Sequence, residues 1–329
     1  MNKLLKKVLL LSSAIIMIAS SKSFADTNIY RIEGSNRYDT SLKLSQEHFK
    51  QSNYVVIASG ENYPDALIGG SLTSQIKSPM LLVSKNNISN EVLNEIKRFS
   101  PKAVFVLGGK NTISDKVIEK IKNETGTYTE RISGKNRFET SHEINNLRNR
   151  LSGIPEEYFE MLTTHYWVAV NGYNFYDALY VAPHFGLYRT DFNMILYVSP
   201  SQPVIREADR EWSQAIGDVE VIRDNEDFRY TYHTRGNNRY ETSTIMAELF
   251  KKNINPNLDT VIIASGESYP DGLSASGLVG VYKAPILLTS KNHLNNSTKN
   301  FIKRNNIKRI IIVGGEKTIS KTIENQLKQ

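Results

Sequence analysis

Three arginines stand at the same place in one recurring motif. Arg31-Ile32-Glu33-Gly34-Ser35-Asn36-Arg37-Tyr38-Asp39-Thr40-Ser41 returns as Arg131-Ile132-Ser133-Gly134-Lys135-Asn136-Arg137-Phe138-Glu139-Thr140-Ser141, and in shorter form as Gly236-Asn237-Asn238-Arg239-Tyr240-Glu241-Thr242-Ser243. A guanidinium grips a carboxylate or a phosphate through parallel N–H donors, so Arg37, Arg137 and Arg239 are either anion grips or halves of ion pairs. A second motif offers the carboxylates. Ile57-Ala58-Ser59-Gly60-Glu61-Asn62-Tyr63-Pro64-Asp65-Ala66-Leu67 recurs as Ile263-Ala264-Ser265-Gly266-Glu267-Ser268-Tyr269-Pro270-Asp271-Gly272-Leu273, with a weaker middle copy, Asn171-Gly172-Tyr173-Asn174-Phe175-Tyr176-Asp177-Ala178-Leu179. Asp65, Asp177 and Asp271 share one position, and Tyr63, Phe175 and Tyr269 share another. The aspartates are partners of the arginines or part of a ligand site; the rings stack on a sugar or wedge the loop onto the core.

Two shorter blocks close each copy. Pro79-Met80-Leu81-Leu82-Val83-Ser84 matches Pro285-Ile286-Leu287-Leu288-Thr289-Ser290, with Asn193 to Ser199 between them. Val104-Phe105-Val106-Leu107-Gly108-Gly109 matches Ile310-Ile311-Ile312-Val313-Gly314-Gly315, and the middle counterpart is read as Val219-Glu220-Val221-Ile222-Arg223-Asp224, without glycines. Amides of the Gly108-Gly109 and Gly314-Gly315 turns could cradle an anion, though a tight turn alone accounts for them. Leu81, Leu82, Leu287 and Leu288 are sheet core or polymer contacts.

These groups need elements to position them. Asn36 with Asp39, Asn136 with Glu139 and Asn238 with Glu241 are capping-box pairs, so each opening motif starts a helix. Pro64-Asp65 and Pro270-Asp271 suit a first helical turn. Apolar runs such as Val55 to Ala58 alternate with helical periods at Ser89 to Phe99 and Ser114 to Ile121, which predicts a parallel sheet covered on both faces. Each unit is then an α/β layer of about four strands, and its loop motif lies at strand ends, where open α/β sheets bind ligands.

The 329 residues contain no Cys, which excludes disulfides, thiol nucleophiles and Cys-type metal sites. The first residues have a basic start, an apolar stretch from Val8 to Ala19, and Ser23-Phe24-Ala25, the order of a secretory signal peptide ending at residue 25. Lys and Arg total 41 against 34 acidic residues; without Lys3, Lys6, Lys7 and Lys22 the basic count is 37, too even a balance for a polybasic nucleic-acid binder. No later apolar run suits a membrane span. None of His48, His142, His165, His184, His233 and His293 recurs between units or shows metal-ligand spacing, and no phosphate-loop or dinucleotide fingerprint is present. No cofactor is called for.

The R-I-x-G-x-N-R-[YF]-x-T-S opening, the S-G-E-x-Y-P-D-[AG]-L loop, the P-x-L-L strand and the V-x-G-G turn resemble the cell wall binding repeat type 2 of Gram-positive, notably clostridial, surface proteins. The resemblance spans the chain after residue 25. It implies three Toprim-like α/β modules about a pseudo-threefold axis, at 26–128, 129–230 (degenerate) and 231–329. It also implies non-covalent anchoring to an anionic cell-wall polysaccharide, in the wall or a surface layer whose proteins are further partners, with the P-x-L-L segment involved. Catalytic Toprim domains hold a metal with a Glu and a later Asp-x-Asp. Glu61 and Glu267 match the first element, but Gly108-Gly109-Lys110 and Gly314-Gly315-Glu316 lack the second. The expectation is therefore a secreted, non-catalytic wall protein, with an exported metal-independent hydrolase of wall glycan or phosphate esters as the rival. Arg137, in the degenerate unit, is expected to matter least for binding.

Overall fold

The computed structural model describes residues 27–153, 155, 166–188, 193–198, 213–218 and 230–328. The leader falls outside them. Among the described residues, twelve strands form three four-stranded sheets in which every pairing is parallel. The first sheet contains β2 (Tyr54–Ser59), β3 (Met80–Val83), β4 (Ala103–Leu107) and β5 (Thr129–Ile132) in the order β3-β2-β4-β5. The second contains β6 (Tyr166–Asn171), β7 (Asn193–Val198), β8 (Ser213–Ile216) and β9 (Tyr230–Thr234) in the order β7-β6-β8-β9. The third joins β10 (Thr260–Ser265), β11 (Ile286–Thr289) and β12 (Arg309–Val313) to β1 (Asn28–Ile32), in the order β1-β12-β10-β11.

Sequence repeat and sheet are thus offset by one strand. β5 and β9 open the second and third repeats but complete the sheets of the first and second. β1 completes the third, pairing Asn28 to Ile32 with Arg309 to Val313. The three modules therefore close into a ring. Thr27 Oγ1 donates to Ile307 O at 3.1 Å and Arg31 Nε to Glu324 Oε1 at 2.5 Å, fastening this long-range strand at both ends.

Strand interiors are apolar on both faces: Val55, Val56, Ile57 and Ala58 are all fully buried, as a sheet covered by helices on both sides requires. The outer helices follow the predicted helical periods. In α3 (Asn90–Phe99) Ser89 Oγ accepts from Val92 N, and α4 (Asp115–Thr125) starts after Ser114. At the centre of the ring pack α2 (Pro64–Ile76), α6 (Tyr176–Gly186) and α9 (Ser276–Tyr282), one per module, the last preceded by the short α8 (Pro270–Ser274). Their contacts are made of small residues: Thr73 Oγ1 lies 2.8 Å from Ser276 Oγ, and a Cβ on Gly70 would touch Ser276 and Pro183. Close approach of three helices leaves no room for larger side chains there.

Candidate functional site

The opening motif builds a helix start and ties it to the sheet. In α1 (Arg37–His48), α5 (Arg137–Leu151) and α7 (Arg239–Asn253), the Oδ1 of Asn36, Asn136 or Asn238 accepts two amides of the first turn. Asp39, Glu139 and Glu241 accept from the amides of Ser35, Lys135 and Asn237, each at 2.8 Å, one residue further back than a strict capping box. The motif serine reaches the P-x-L-L strand: Leu82 N donates to Ser41 Oγ at 3.0 Å and Leu288 N to Ser243 Oγ at 3.2 Å. Leu81, Leu82, Leu287 and Leu288 themselves are at most 1% exposed. Covered by helices, they cannot touch a polymer, and the contact role considered for them is withdrawn.

The three arginines bond to backbone carbonyls of the loop motif. Arg37 Nη1 donates to Gly60 O, Arg137 Nη1 to Gly172 O at 2.6 Å, and Arg239 Nη1 to Gly266 O at 2.6 Å. Each guanidinium clamps the loop of its own repeat while facing the module before it. Arg137 acts on the carboxyl of Asp65, Arg239 on that of Asp177, and Arg37 lies 5.9 Å from the ring of Tyr269. The ion pairs considered between these arginines and aspartates do not form, because each aspartate is turned under a glycine turn instead. A Cβ on Gly108 would come within 2.6 Å of Asp65 Oδ2, and one on Gly314 within 3.1 Å of Asp271 Oδ2. Burial raises the carboxyls of Asp65 and Asp177 above the usual range, with hydrogen bonds from Thr140 and Tyr180 working against it. Asp271 Oδ2 accepts from Thr318 Oγ1 at 3.1 Å.

Those turns need glycine, since φ is +103° at Gly108 and +126° at Gly314. The middle module keeps the feature. β8 pairs with β6 as β4 pairs with β2, and it ends at Gly217, φ +77°, whose amide donates to Thr234 O as Gly108 N does to Ile132 O. The glycine-free stretch Val219 to Asp224 was the wrong counterpart; it lies outside the described residues, and the true strand reads Ser213-Gln214-Ala215-Ile216. Arg31 and Arg131 hold the carbonyls of Gly314 and Gly108, each at 2.6 Å, and His233 Nε2 takes that place at Gly217 O, 2.9 Å.

One aromatic residue from each module meets at the centre of the ring. Ring centroids are 4.8 Å apart for Tyr63 and Tyr269, 5.8 Å for Phe175 and Tyr269, and 6.4 Å for Tyr63 and Phe175. Tyr63 Oη donates to Tyr173 O and Tyr269 Oη to Glu61 O, stitching each loop to the next. These rings serve the module junction, and Tyr63 and Tyr269 are half-buried by it.

Each arginine stands where two consecutive modules meet, Arg37 beside Tyr269, Arg137 beside Asp65 and Arg239 beside Asp177. At the closure of the ring, a groove of about 540 Å³ is lined by Glu33, Ser35, Arg37, Asp271, Glu316 and Lys317 among others. The matching positions between the first and second modules are Ser133, Lys135, Arg137, Asp65, Lys110 and Asn111. Gly315 lines the groove at the ring closure, and a Cβ on Gly109 would meet nothing. Arg137 therefore works against the intact turn of the first module, and the altered Gly217-Asp218 turn faces Arg239. The motif blocks therefore meet across module boundaries, and Arg137 is not grouped with the altered turn of its own module.

Glu61 and Glu267 are exposed and tied to their own modules. Their Oε1 atoms accept from Tyr38 and Tyr240, their Oε2 atoms from the amides of Lys85 and Lys291. Among the described residues no three His, Asp or Glu side chains group as a metal site, and no helix is long and apolar enough to cross a membrane.

Three parallel α/β repeats closed through strands passed to their neighbours, with an arginine at each junction, define a repeat-built binding module. The chain belongs to the cell wall binding domain 2 (CWB2) family, whose model matches residues 31–118, 131–226 and 233–324. It is 27% identical over 327 residues, 98% of its length, to N-acetylmuramoyl-L-alanine amidase LytC of Bacillus subtilis (strain 168), and 25% identical over 326 residues, 94% of its length, to the amidase enhancer of the same organism. It spans 62% of the first and 43% of the second. The fold matches Cwp8 from Clostridium difficile with a TM-score of 0.71 at 20% identity, over 97% of this chain and 54% of that one. Cwp6 from the same organism matches with a TM-score of 0.71 at 22% identity, over 92% and 48%.

Proposed function

We propose that this is a non-catalytic, exported wall protein, freed of residues 1–25, that anchors non-covalently to an anionic cell-wall polysaccharide in the clefts between its modules. The modules are assigned to 26–128, 129–230 and 231–329, with a Toprim-like form about a pseudo-threefold axis; the central aromatic trio and the matching sheets support that assignment. One observation carries the binding reading. Arg37, Arg137 and Arg239 each commit one of five N–H donors to a glycine carbonyl and keep the rest at a cleft mouth, where a polymer phosphate or carboxylate would complete them. Asp65, Asp177 and Asp271 support the turns from beneath, and surface-layer proteins are secondary partners.

The test is to incubate the protein from Asp26 onward with purified walls and to assay both sedimentation and released product. Sedimentation without product, reversed by high salt or a competing polyanion, is the expected result, since screening weakens exposed charge contacts. Product release would establish the rival hydrolase and end the non-catalytic reading. Retention in both high salt and polyanion would replace charge-based binding with covalent or buried attachment.

A further inference from the structure

Among the described residues, four large apolar or aromatic side chains are strongly exposed: Tyr30, Tyr128, Tyr173 and Val281. Tyr30 is engaged by Glu47 and packs on His48, and Tyr128 precedes an edge strand beside Glu130. Tyr173 alone of the four has an arginine over its ring, with Arg137 Cζ 5.2 Å from the centroid. It is 52% exposed at a strand end, where the loop motif places ligand contacts.

Its position is the one that Glu61 and Glu267 hold in the other modules. There a Tyr–Glu pair forms, Tyr38 with Glu61 and Tyr240 with Glu267. In the middle module both members are changed together: Phe138 replaces the tyrosine and Tyr173 the glutamate. The two rings meet edge to face, centroids 6.3 Å apart at 64°. The exchange removes a carboxylate from beside the guanidinium and sets an aromatic face there. Its backbone is fixed on both sides, because Tyr173 N donates to Asn171 Oδ1 at 2.8 Å and Tyr173 O accepts from Tyr63 Oη at 3.2 Å. An aromatic face held in advance loses little freedom on binding.

We propose that Tyr173 is the sugar-stacking residue of the middle module, packing the apolar face of a pyranose while Arg137 takes the phosphate or carboxylate carried by the same or the adjoining unit. Aromatic faces favour apolar C–H edges, and the guanidinium supplies the charge contact that a neutral sugar would not use. This deepens the wall-polymer reading and rests on it. The other two modules carry a carboxylate at this position, Glu61 and Glu267.

The experiment compares wild type, Tyr173→Phe and Tyr173→Ala on two supports: purified walls, and beads coated with inorganic polyphosphate, an anionic polymer without sugar. Melting temperatures confirm that all three are folded. Tyr173→Ala should lose roughly tenfold in affinity for walls and hold polyphosphate like wild type, and Tyr173→Phe should stay within about twofold on both. An alanine variant that binds walls like wild type overturns the stacking role. Equal losses on walls and polyphosphate overturn it too, by making Tyr173 a support for Arg137. A wild-type protein that walls do not retain removes the anchoring reading itself, and the stacking role with it.

Discussion

The junction between the first and second modules and the seam that closes the ring use the same helix position for opposite purposes. Near the end of α5, Arg148 is buried among Gln75 Oε1 at 2.8 Å, Asn145 Oδ1 at 3.0 Å and Phe185 O at 3.3 Å. At the equivalent place on α1, His48 Nδ1 lies 2.7 Å from Tyr282 Oη, with the Tyr30 ring on its other side. Burial pulls the arginine down only to about 10, so it stays charged at every ordinary pH. Burial also lowers His48, so the seam is built for the neutral ring. The third junction goes further: Phe250 fills the position and packs against His184, which burial pushes down to about 3. The comparison teaches that the fold fixes the backbone of a junction and leaves its charge state free, so three seams of one geometry answer differently to their surroundings.

Acid offers the largest separation. A histidine whose folded pKa is depressed stabilises above its unfolded value and loses that contribution as the pH falls below about 6.5, where the unfolded chain takes up the proton first. For His184 the loss runs from about 6.5 down to about 3 and amounts to roughly 5 kcal/mol at full extent. Denaturant titrations across this range should show the slope, and His184→Leu should flatten it. An unchanged slope in that variant would mean the junction between the second and third modules is not the acid-sensitive one.

The next effect concerns the two kinds of strand. Ile32→Ala in β1 and Ile132→Ala in β5 both empty a buried site and should each cost about 2 to 4 kcal/mol. Hydrogen exchange should then separate them, rising at β12 in the first variant and at β4 in the second. A rise spread over all sheets in either variant would show that the seam is no weaker a unit than the junctions.

Wall binding gives a smaller difference. Arg137→Gln should cost about 1 to 3 kcal/mol of affinity, because Lys135 and Lys110 stand where the ring closure has Ser35 and Glu316, whereas Arg37→Gln should cost less beside Glu33 and Glu316. Glu316→Lys should bring the seam closer to the other cleft. Smallest is the His48 contribution. His48→Gln should remove a shallow decline of melting temperature below about pH 6.5, with Glu47 favouring the protonated ring and Arg309 opposing it.

Local chemistry was readable in the chain. Repeats, helix caps and apolar strands follow from neighbouring residues, and the structure places them as expected, down to Ser89 before α3. Pairing between distant segments was not, since nothing in Asn28 to Ile32 names Arg309 to Val313 as its neighbour. The middle glycine turn was missed because Ser213-Gln214-Ala215-Ile216 is more polar than the run a few residues on. The arginine contacts were misjudged because a carbonyl acceptor leaves no signature in side-chain types. Tyr173 had a signal that went unused: the joint exchange of Tyr and Glu for Phe and Tyr at two positions of one repeat.

The passing of one strand from each module to its predecessor limits how such a protein can grow. Solenoids add units at either end, because each repeat meets only its neighbours. Here every sheet already has its fourth strand, and the last receives it from the first. A duplicated fourth repeat would arrive with a strand to give and no sheet open to receive it, unless the existing seam were first undone. Deleting one repeat would leave its neighbours facing across a wider angle than their contacts allow. Three is therefore a closed number for this geometry.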